Sequence, residues 1–516
     1  MKKTKLSDIA KEGLLLEPEA LNLMKLPEPY DRISEDFAKL ENAENYASDL
    51  DGFVAIDLEW KPKSEEEEER LISRFLNGLQ KLLDKEANWT FLYPLLISLE
   101  YCTRCKSCSS ACHVYLGSGK EEIYRPTFRA EIFRRLVNRM KGRVRAKFFG
   151  DIELNARVLL RLAELAYRCN LCRRCAQFCP IGIDNSLIAR EIRKLFSQEL
   201  GIAPRALVEG TEKQFCSGSS TGMRPEGFRD VVRFIEEEIL ERTEKKIRIP
   251  VDEKHSEILL IHNAGDYLSG IENVMAFAIL FEEAGLDWTL SSEAFDAVNY
   301  GVWYDDIYLG RIALKHCEIA RKLDVDRIVV GECGHAHKAL LALSDRMLPE
   351  EYRIPRESCL PILEELLRKL NIDPSKNDFP VTLHDPCNIV RNLGIVEPQR
   401  KILQRISPRF REMEPNGVYN YCCGGGGGIA VINSLNFPEF RNKISARVKF
   451  SQILNAFRDS LKPYRRNYVV APCSNCRSTI RELFRHYKAK EKCGIDYCGL
   501  AELIANSLVD YPPFLV

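Results

Sequence analysis

The 516 residues carry 75 basic and 75 acidic side chains, so no net field draws the chain to nucleic acid, an anionic membrane or an acidic substrate. The length accommodates about three domains, each able to bury a core without staples. The opening MKKTKLSDIAKEGLLLEP has no signal-type apolar region, and no run of about 18 apolar residues follows. The nineteen cysteines therefore read as metal ligands or catalytic thiols of a reduced, intracellular compartment and not as a disulfide framework.

Residues 1–90 lack cysteine and contain the acidic run Glu65 to Glu69 followed by RLISRFLNGLQKLL, whose apolar spacing predicts an amphipathic helix. This region is expected to be solvated or to dock a partner. Residues 91–205 hold two cysteine clusters among the helical patterns FRAEIFRRLVNRM, NARVLLRLAELAYR and NSLIAREIRKLFSQEL, which predict an all-helical domain. Residues 206–254 read as a linker ending in a helix over RDVVRFIEEEILERTEKK. From 255 onward short β-rich runs alternate with helices, the pattern of α/β structure with parallel strands.

That last region repeats. EILLIHNAG (257–265) resembles PVTLHDPC (380–387), and RIVVGECGHAHKA (327–339) resembles NYVVAPCSNCRST (467–479). Each half has one strand ending in a His-containing turn and a later strand ending in a cysteine-bearing turn, where open α/β sheets collect ligands. The halves divide at 255–375 and 376–516, and the first has lost nearly all the cysteines of the second. Trp303, Tyr304, Asp305 and Asp306 stand where the first half would carry its own cysteine pair.

Cys102, Cys105, Cys108 and Cys112 follow C-x2-C-x2-C-x3-C, and Cys169, Cys172, Cys175 and Cys179 repeat it with Pro180 attached. In two-cluster ferredoxins the fourth cysteine of each motif serves the other cluster. Cys102, Cys105, Cys108 and Cys179 are thus expected to hold one cubane 4Fe–4S cluster, and Cys169, Cys172, Cys175 and Cys112 a second. His113 replaces the proline that would follow the first motif, and should alter the local turn more than ligation. Arg104, Lys106, Arg168, Arg173 and Arg174 either offset the clusters' negative charge or are simply solvated. The domain resembles the helical ferredoxins of respiratory subunits.

Cys387, Cys422, Cys423, Cys473 and Cys476 form C-x34-C-C-G-x48-C-x-x-C, with Gly424 to Gly428 after the pair. Adjacent cysteines diverge too far to share one tetrahedral zinc, whereas a multi-iron cluster can take both. The glycine run would let backbone approach a cofactor and direct N–H groups at it, Gly424 and Gly425 foremost. A phosphate loop is excluded because Ile429 and Ala430 follow where G-K-[ST] is needed. His384 and Asp385 are expected to orient the Cys387 turn.

The array resembles the CCG domain of heterodisulfide reductases. The resemblance implies an α plus α/β multidomain chain, in which a helical di-cluster ferredoxin domain precedes a duplicated α/β CCG module, as in fused heterodisulfide reductase subunits of the D type. It also implies that the five cysteines hold a non-cubane 4Fe–4S cluster at which a disulfide is cleaved. HNAGDYLSGIENVMAF, GVWYDD, VVGECGHAHKA and HDPCNIVRN resemble the K-subunit family of the membrane complex linked to dissimilatory sulfite reductase. That likeness implies a cytoplasmic catalytic subunit, held at the inner face of the membrane by partners. Its electrons would come from a haem b quinol-oxidising membrane subunit, and its substrate would be a trisulfide or disulfide on a small sulfur-carrier protein. Heterodisulfide reduction of thiol coenzymes is the nearest alternative; an iron–sulfur subunit of a lactate or glycolate dehydrogenase, or a non-enzymatic electron carrier, are others.

Reducing a sulfur–sulfur bond takes two electrons while iron–sulfur clusters deliver them singly, so such a site must hold the half-reduced species. In the degenerate half, Cys333, His335 and His337, with Glu332 and His262 nearby, are candidates for lining the substrate's approach and supplying protons. Cys216, Cys317, Cys359, Cys493 and Cys498 match neither array and read as free thiols.

Overall fold

A computed structural model describes residues 22–30, 53–55, 62–142, 154–433 and 436–515. Of the expected docking region 1–90, residues 1–21, 31–52 and 56–61 lie outside the described residues. The chain forms two compact units. The first takes residues up to Val208 together with Trp303–Asp306 and Tyr421–Ser451; the second takes Glu209–Val302, Ile307–Asn420 and Gln452–Val516.

The first unit is helical. Helix α1 (Glu65–Leu82) starts where the Ser64 side chain accepts from the Glu67 amide, while Glu67 in turn accepts from the Lys63 amide. Its acidic first turn suits the positive end of the helix dipole. Leu71, Phe75 and Leu79, spaced four apart, are fully buried, each contributing roughly 1.5–3 kcal/mol relative to exposure. Helices α2 (Leu92–Glu100), α3 (Pro126–Met140) and α4 (Ala156–Tyr167) follow. Helix α5 (Asn185–Leu200) is capped by Asp184, which accepts from Ser186 and Leu187 N–H, and ends at Gly201 with φ +69°. It is the central helix, with Ile188, Ile192, Leu195 and Phe196 buried and α1 packed along it at Gly78, where a Cβ would come within 2.6 Å of Glu199 Cγ. A two-stranded antiparallel pair, β1 (Phe53–Ala55) with β2 (Ile202–Pro204), closes the α5 end.

Both outlying segments of this unit are tied to it. Lys194 binds Asp306 at 2.9 Å and Ser197 donates to Asp305 at 3.2 Å. Arg168, fully buried, pairs with Glu164, donates to Asn436, and lies over the Phe437 and Phe440 rings. Trp303–Asp306 and the cysteine-pair segment thus leave corresponding places in the two halves and join the same unit.

The second unit holds two four-stranded parallel sheets. One runs β4 (Trp288–Thr289), β3 (Ile258–Ile261), β5 (Arg327–Val330), β6 (Arg356–Ser358); the other runs β8 (Phe410–Arg411), β7 (Val381–Leu383), β9 (Asn467–Val470), β10 (Ile495–Cys498). Both have the order 2-1-3-4, so the repeat legible in the sequence reappears as a repeated topology. Helix α6 (Pro225–Thr243) precedes the first sheet and α7 (Ile271–Glu283) connects β3 to β4; α8 (Cys387–Asn392), α9 (Ser474–Tyr487) and α10 (Leu500–Asn506) belong to the second. One apolar core joins the halves, with Leu260, Val329 and α7 residues such as Phe277 and Leu280 in one cluster with Leu383, Val470, Leu503 and Ile504. No helix among the described residues is long and apolar enough to cross a membrane.

Candidate iron–sulfur site

In the first unit the two ferredoxin-type motifs take the same backbone path. Arg104 and Lys106 in one, and Leu171 and Arg173 in the other, have φ between +50° and +69°. A left-handed residue of this kind costs roughly 1–2 kcal/mol, and its repetition at matched positions wraps each loop round a point. Cys102, Cys105, Cys108 and Cys179 line one cavity with Pro180, Ile181 and Thr127. Cys112 lies within electrostatic reach of Cys169 and Cys172, and Cys175 of all three. Cys179 thus lies with the first three thiols of the first motif, and Cys112 with those of the second.

None of the nineteen cysteines is joined in a disulfide. Burial, reinforced by the neighbouring thiols, pushes Cys108 up to about 11. Burial likewise pushes Cys112 up to about 12 and Cys175 well above the ordinary thiol range. Such a set ionises together only around a polycationic core, which is what the irons of a cluster supply. A second observation agrees. Arg193 is fully buried, lies over the Tyr167 ring, and spends its donors on the carbonyls of Ala166, Cys169 and Gly427. No carboxylate pairs with it among the described residues, and burial lowers its pKa to about 10. An anionic cluster beside Cys169 is the counter-charge this guanidinium lacks.

The other basic residues divide. Arg104 is exposed and pairs with Glu131, and Lys106 is exposed. Arg173 pairs with Asp184. Arg174 is buried, donates to the Ala111 carbonyl and lies over the Tyr421 ring. Solvation accounts for the first two and not for the buried arginines.

Cys422 and Cys423 also belong to the first unit, both buried. The glycines after them are required by protein backbone as well as by any cofactor. A Cβ on Gly424 (φ +100°) would lie 2.6 Å from Ala446 Cβ, one on Gly426 2.6 Å from the Asn170 carbonyl, and one on Gly427 2.8 Å from the Cys169 carbonyl. The loop is seated directly on the second ferredoxin-type motif. Asn170 donates to the Gly424 carbonyl at 2.7 Å and meets His113 Nε2 at 2.8 Å. The sequence alone does not mark Asn170, whose partner is 254 positions away.

In the second unit the cysteine turns lie at the carboxyl ends of β7 and β9. Cys387 opens α8 and Cys473 caps α9, with Cys476 in its first turn. The degenerate half reproduces the turn, for Cys333 caps its own short helix with nearly the same backbone angles. The two turns meet: Gly334 N–H donates to Cys473 Sγ at 3.2 Å, and Ser474 N–H donates to the Glu332 carbonyl at 2.6 Å. A Cβ at Gly334 would be 3.1 Å from Cys473 Sγ and 3.6 Å from Pro386 Cβ, so the Cys387 and Cys473 turns converge there. His384, fully buried, has a ring nitrogen within 4.8 Å of Cys476 Sγ. Asp385 receives both guanidinium arms of Arg400 at 2.8 Å and the Gly417 amide at 2.7 Å, which pins the turn before Cys387.

The degenerate half's candidates are all buried. Cys333 Sγ accepts from Asn263 Nδ2 and lies 3.4 Å from His335 Nδ1, and burial, then the Cys473 charge, pushes its thiol up. His337 Nδ1 donates to the Cys333 carbonyl, so its Nε2 accepts from the Ser358 hydroxyl. Burial lowers His335 to about 3 and His337 to about 4; neither carries an imidazolium proton at neutral pH. His262 is likewise held neutral, packed against Tyr267 and Phe277. Behind these turns Arg477 binds Glu332 at 2.5 Å and Asp266 at 2.7 Å, with Glu502 at 4.0 Å.

Residues 98–183 match the 4Fe-4S dicluster domain, and residues 381–481 match the cysteine-rich CCG domain. The chain thus carries both kinds of cysteine-rich domain and is similar to iron–sulfur proteins of the D-type heterodisulfide reductase kind. Among its relatives is the Hdr-like menaquinol oxidoreductase iron-sulfur subunit 2 of Archaeoglobus fulgidus, 27% identical over 84% of this chain and 83% of that protein. An Hdr-like menaquinol oxidoreductase iron-sulfur subunit of Archaeoglobus profundus is 24% identical over 80% of each. The D subunit of the dihydromethanophenazine:CoB–CoM heterodisulfide reductase of Methanosarcina acetivorans is 26% identical over 65% of this chain and 80% of that protein. The CCG match covers only the second half, in keeping with the loss of the array's cysteines from the first.

Proposed function

We propose that this CCG-domain protein is the catalytic iron–sulfur subunit of a membrane-associated electron-transfer complex and cleaves a sulfur–sulfur bond. Its cofactors are two cubane 4Fe–4S clusters and one non-cubane 4Fe–4S cluster. The cubanes are held by Cys102, Cys105, Cys108 and Cys179, and by Cys169, Cys172, Cys175 and Cys112. The third cluster is held by Cys387, Cys422, Cys423, Cys473 and Cys476. Quinol-derived electrons arrive from a haem b membrane subunit on the cytoplasmic side, and the substrate is a disulfide or trisulfide on a sulfur-carrier protein of sulfur or sulfite respiration. The relatives named as menaquinol oxidoreductase subunits support the membrane electron source, and those named as heterodisulfide reductases support the bond type.

The observation that carries this reading is the seating of the Cys422–Cys423 loop on the Cys169–Asn170 backbone. A single-electron store beside a multi-thiol turn is what a two-electron bond cleavage needs. In the balanced reaction, RS–SR′ takes two electrons and two protons to give RSH and R′SH. A bound cluster supplies single electrons and an iron able to take a thiolate. The chain's own groups hold the turns: Asp385 with Arg400 fixes the Cys387 turn, and Arg477 with Glu332 and Asp266 fixes the start of α9.

Metal analysis and spectroscopy test the proposal. The purified chain should bind roughly twelve irons and give a non-cubane paramagnetic signal that responds to a thiol or trisulfide. With a reduced dye it should consume a carrier-protein trisulfide faster than a coenzyme heterodisulfide. Zinc at the second array with only about eight irons overturns it.

A further inference from the structure

We infer that Asn170 is the positioning residue through which the second-motif cluster, and not the first, passes electrons to the Cys422–Cys423 turn. The inference rests on the three-cluster reading above.

Asn170 follows Cys169 directly in the chain and is buried. Its amide donates to the Gly424 carbonyl at 2.7 Å, one residue beyond Cys423. Its Oδ1 takes His113 Nε2 at 2.8 Å, and Ser445 Oγ lies 2.9 Å from both Oδ1 and the Gly424 carbonyl. Since Oδ1 can only accept, His113 donates from Nε2, which turns Nδ1 to Cys172 Sγ at 4.0 Å. His113 itself follows Cys112. Three of the four cysteines proposed to hold that cluster, Cys169, Cys172 and Cys112, are therefore adjacent to, or in contact with, a side-chain network that ends on the Gly424 carbonyl.

Arg193 fixes the same approach from another side, bridging the carbonyls of Cys169 and Gly427 at 2.6 and 2.7 Å. The cavity of the first motif contains none of these residues, and its Cys105 is exposed. The wire accordingly has a direction, with an open cluster for entry and a buried one for delivery. Each crossing moves one electron, oxidising the second-motif cluster by one and reducing the cluster on the paired cysteines by one, with no bond made or broken. Two crossings cleave one sulfur–sulfur bond, the electrons coming from the quinol-linked partner or, in the test, from dithionite.

The test uses the full chain with its clusters, without sulfur substrate. Rapid-freeze electron paramagnetic resonance follows the arrival of electrons at the paired-cysteine cluster after mixing with dithionite. Asn170→Asp retains the acceptor for His113 and Ser445 but cannot donate to Gly424, and it should slow that arrival by about tenfold, the usual scale for an outer-shell partner. Iron content and the first-motif signal should stay as in the parent. Asn170→Ala should do the same, and Ser445→Ala should slow arrival by a smaller factor. Tyr464→Ala, at an exposed position outside the cysteine motifs, should leave arrival unchanged.

If Asn170→Ala loses iron, the Asp and Ser445 variants carry the test. Parent-like arrival in both, with about twelve irons bound, overturns this inference and leaves the proposed function standing. A parent protein with only about eight irons overturns both.

Discussion

The backbone amide of Gly334 donates to Cys473 Sγ at 3.2 Å. In the proposed arrangement Cys473 holds the third cluster; a hydrogen bond to such a sulfur raises a cluster's potential, and this one comes from the half that has lost nearly all of the array's cysteines. Gly334→Ala would place a methyl 3.1 Å from that sulfur. It should shift the potential and line shape of the third cluster, measured by redox titration, and leave both cubane signals in place.

The proposed crossed ligation has a distinct signature. Cys179→Ser should weaken the cluster whose other ligands are Cys102, Cys105 and Cys108, although it lies in the second motif; Cys112→Ser should weaken the other. Each variant should lose up to about four irons, and spectra of the two should be complementary. Loss of the same signal in both would rule out the crossing.

Glu502 titrates inside the fold. Burial, then the nearby Glu332 charge, raises it from 4.5 to about 7, against the pull of Arg477. A carboxyl raised on folding binds its proton more tightly in the native state, so stability falls as pH rises from about 4.5 to 7 and the cost is full above that. Glu502→Gln should remove up to about 3 kcal/mol of this cost. Thermal unfolding between pH 5 and 8 should be flatter in the variant; an unchanged pH profile would contradict the assignment.

The Gly424 position tolerates no side chain. With φ +100° and Ala446 backbone 2.7 Å from a would-be Cβ, Gly424→Ala should destabilise the chain by about 2 kcal/mol or more. Unfolding monitored at the cluster absorbance should begin at lower denaturant than in the parent. A parent-like midpoint would show that the loop can move aside.

The paths of the two cysteine loops were legible because their spacing is local: C-x2-C-x2-C-x3-C fixes how a loop wraps, and both motifs take the same turn at matched positions. The repeated sheets were legible for the same reason, since His262 and His384, then Cys333 and Cys473, each end a β-run. Asn170 was not, because its partner is 254 positions distant and no periodicity marks it. His113 read as a missing proline, yet its meaning lies in the bond to Asn170. The glycine run announced a close approach without saying to what, and the answer includes the chain's own backbone at Cys169 and Asn170. Helix α2, LYPLLISLE, has too little amphipathic contrast to announce itself.

The first unit draws on three separated stretches of chain, and this limits how such a protein can be divided. A gene cut after residue 208 would encode all eight ferredoxin-type cysteines. Its product would lack Asn436 and Phe437 for Arg168, Asp306 for Lys194, and Gly424 for Asn170. The electron-carrying part is therefore not a detachable cassette, and fusion, fission or shuffling at that junction would strip buried charged and polar groups of part of their partners.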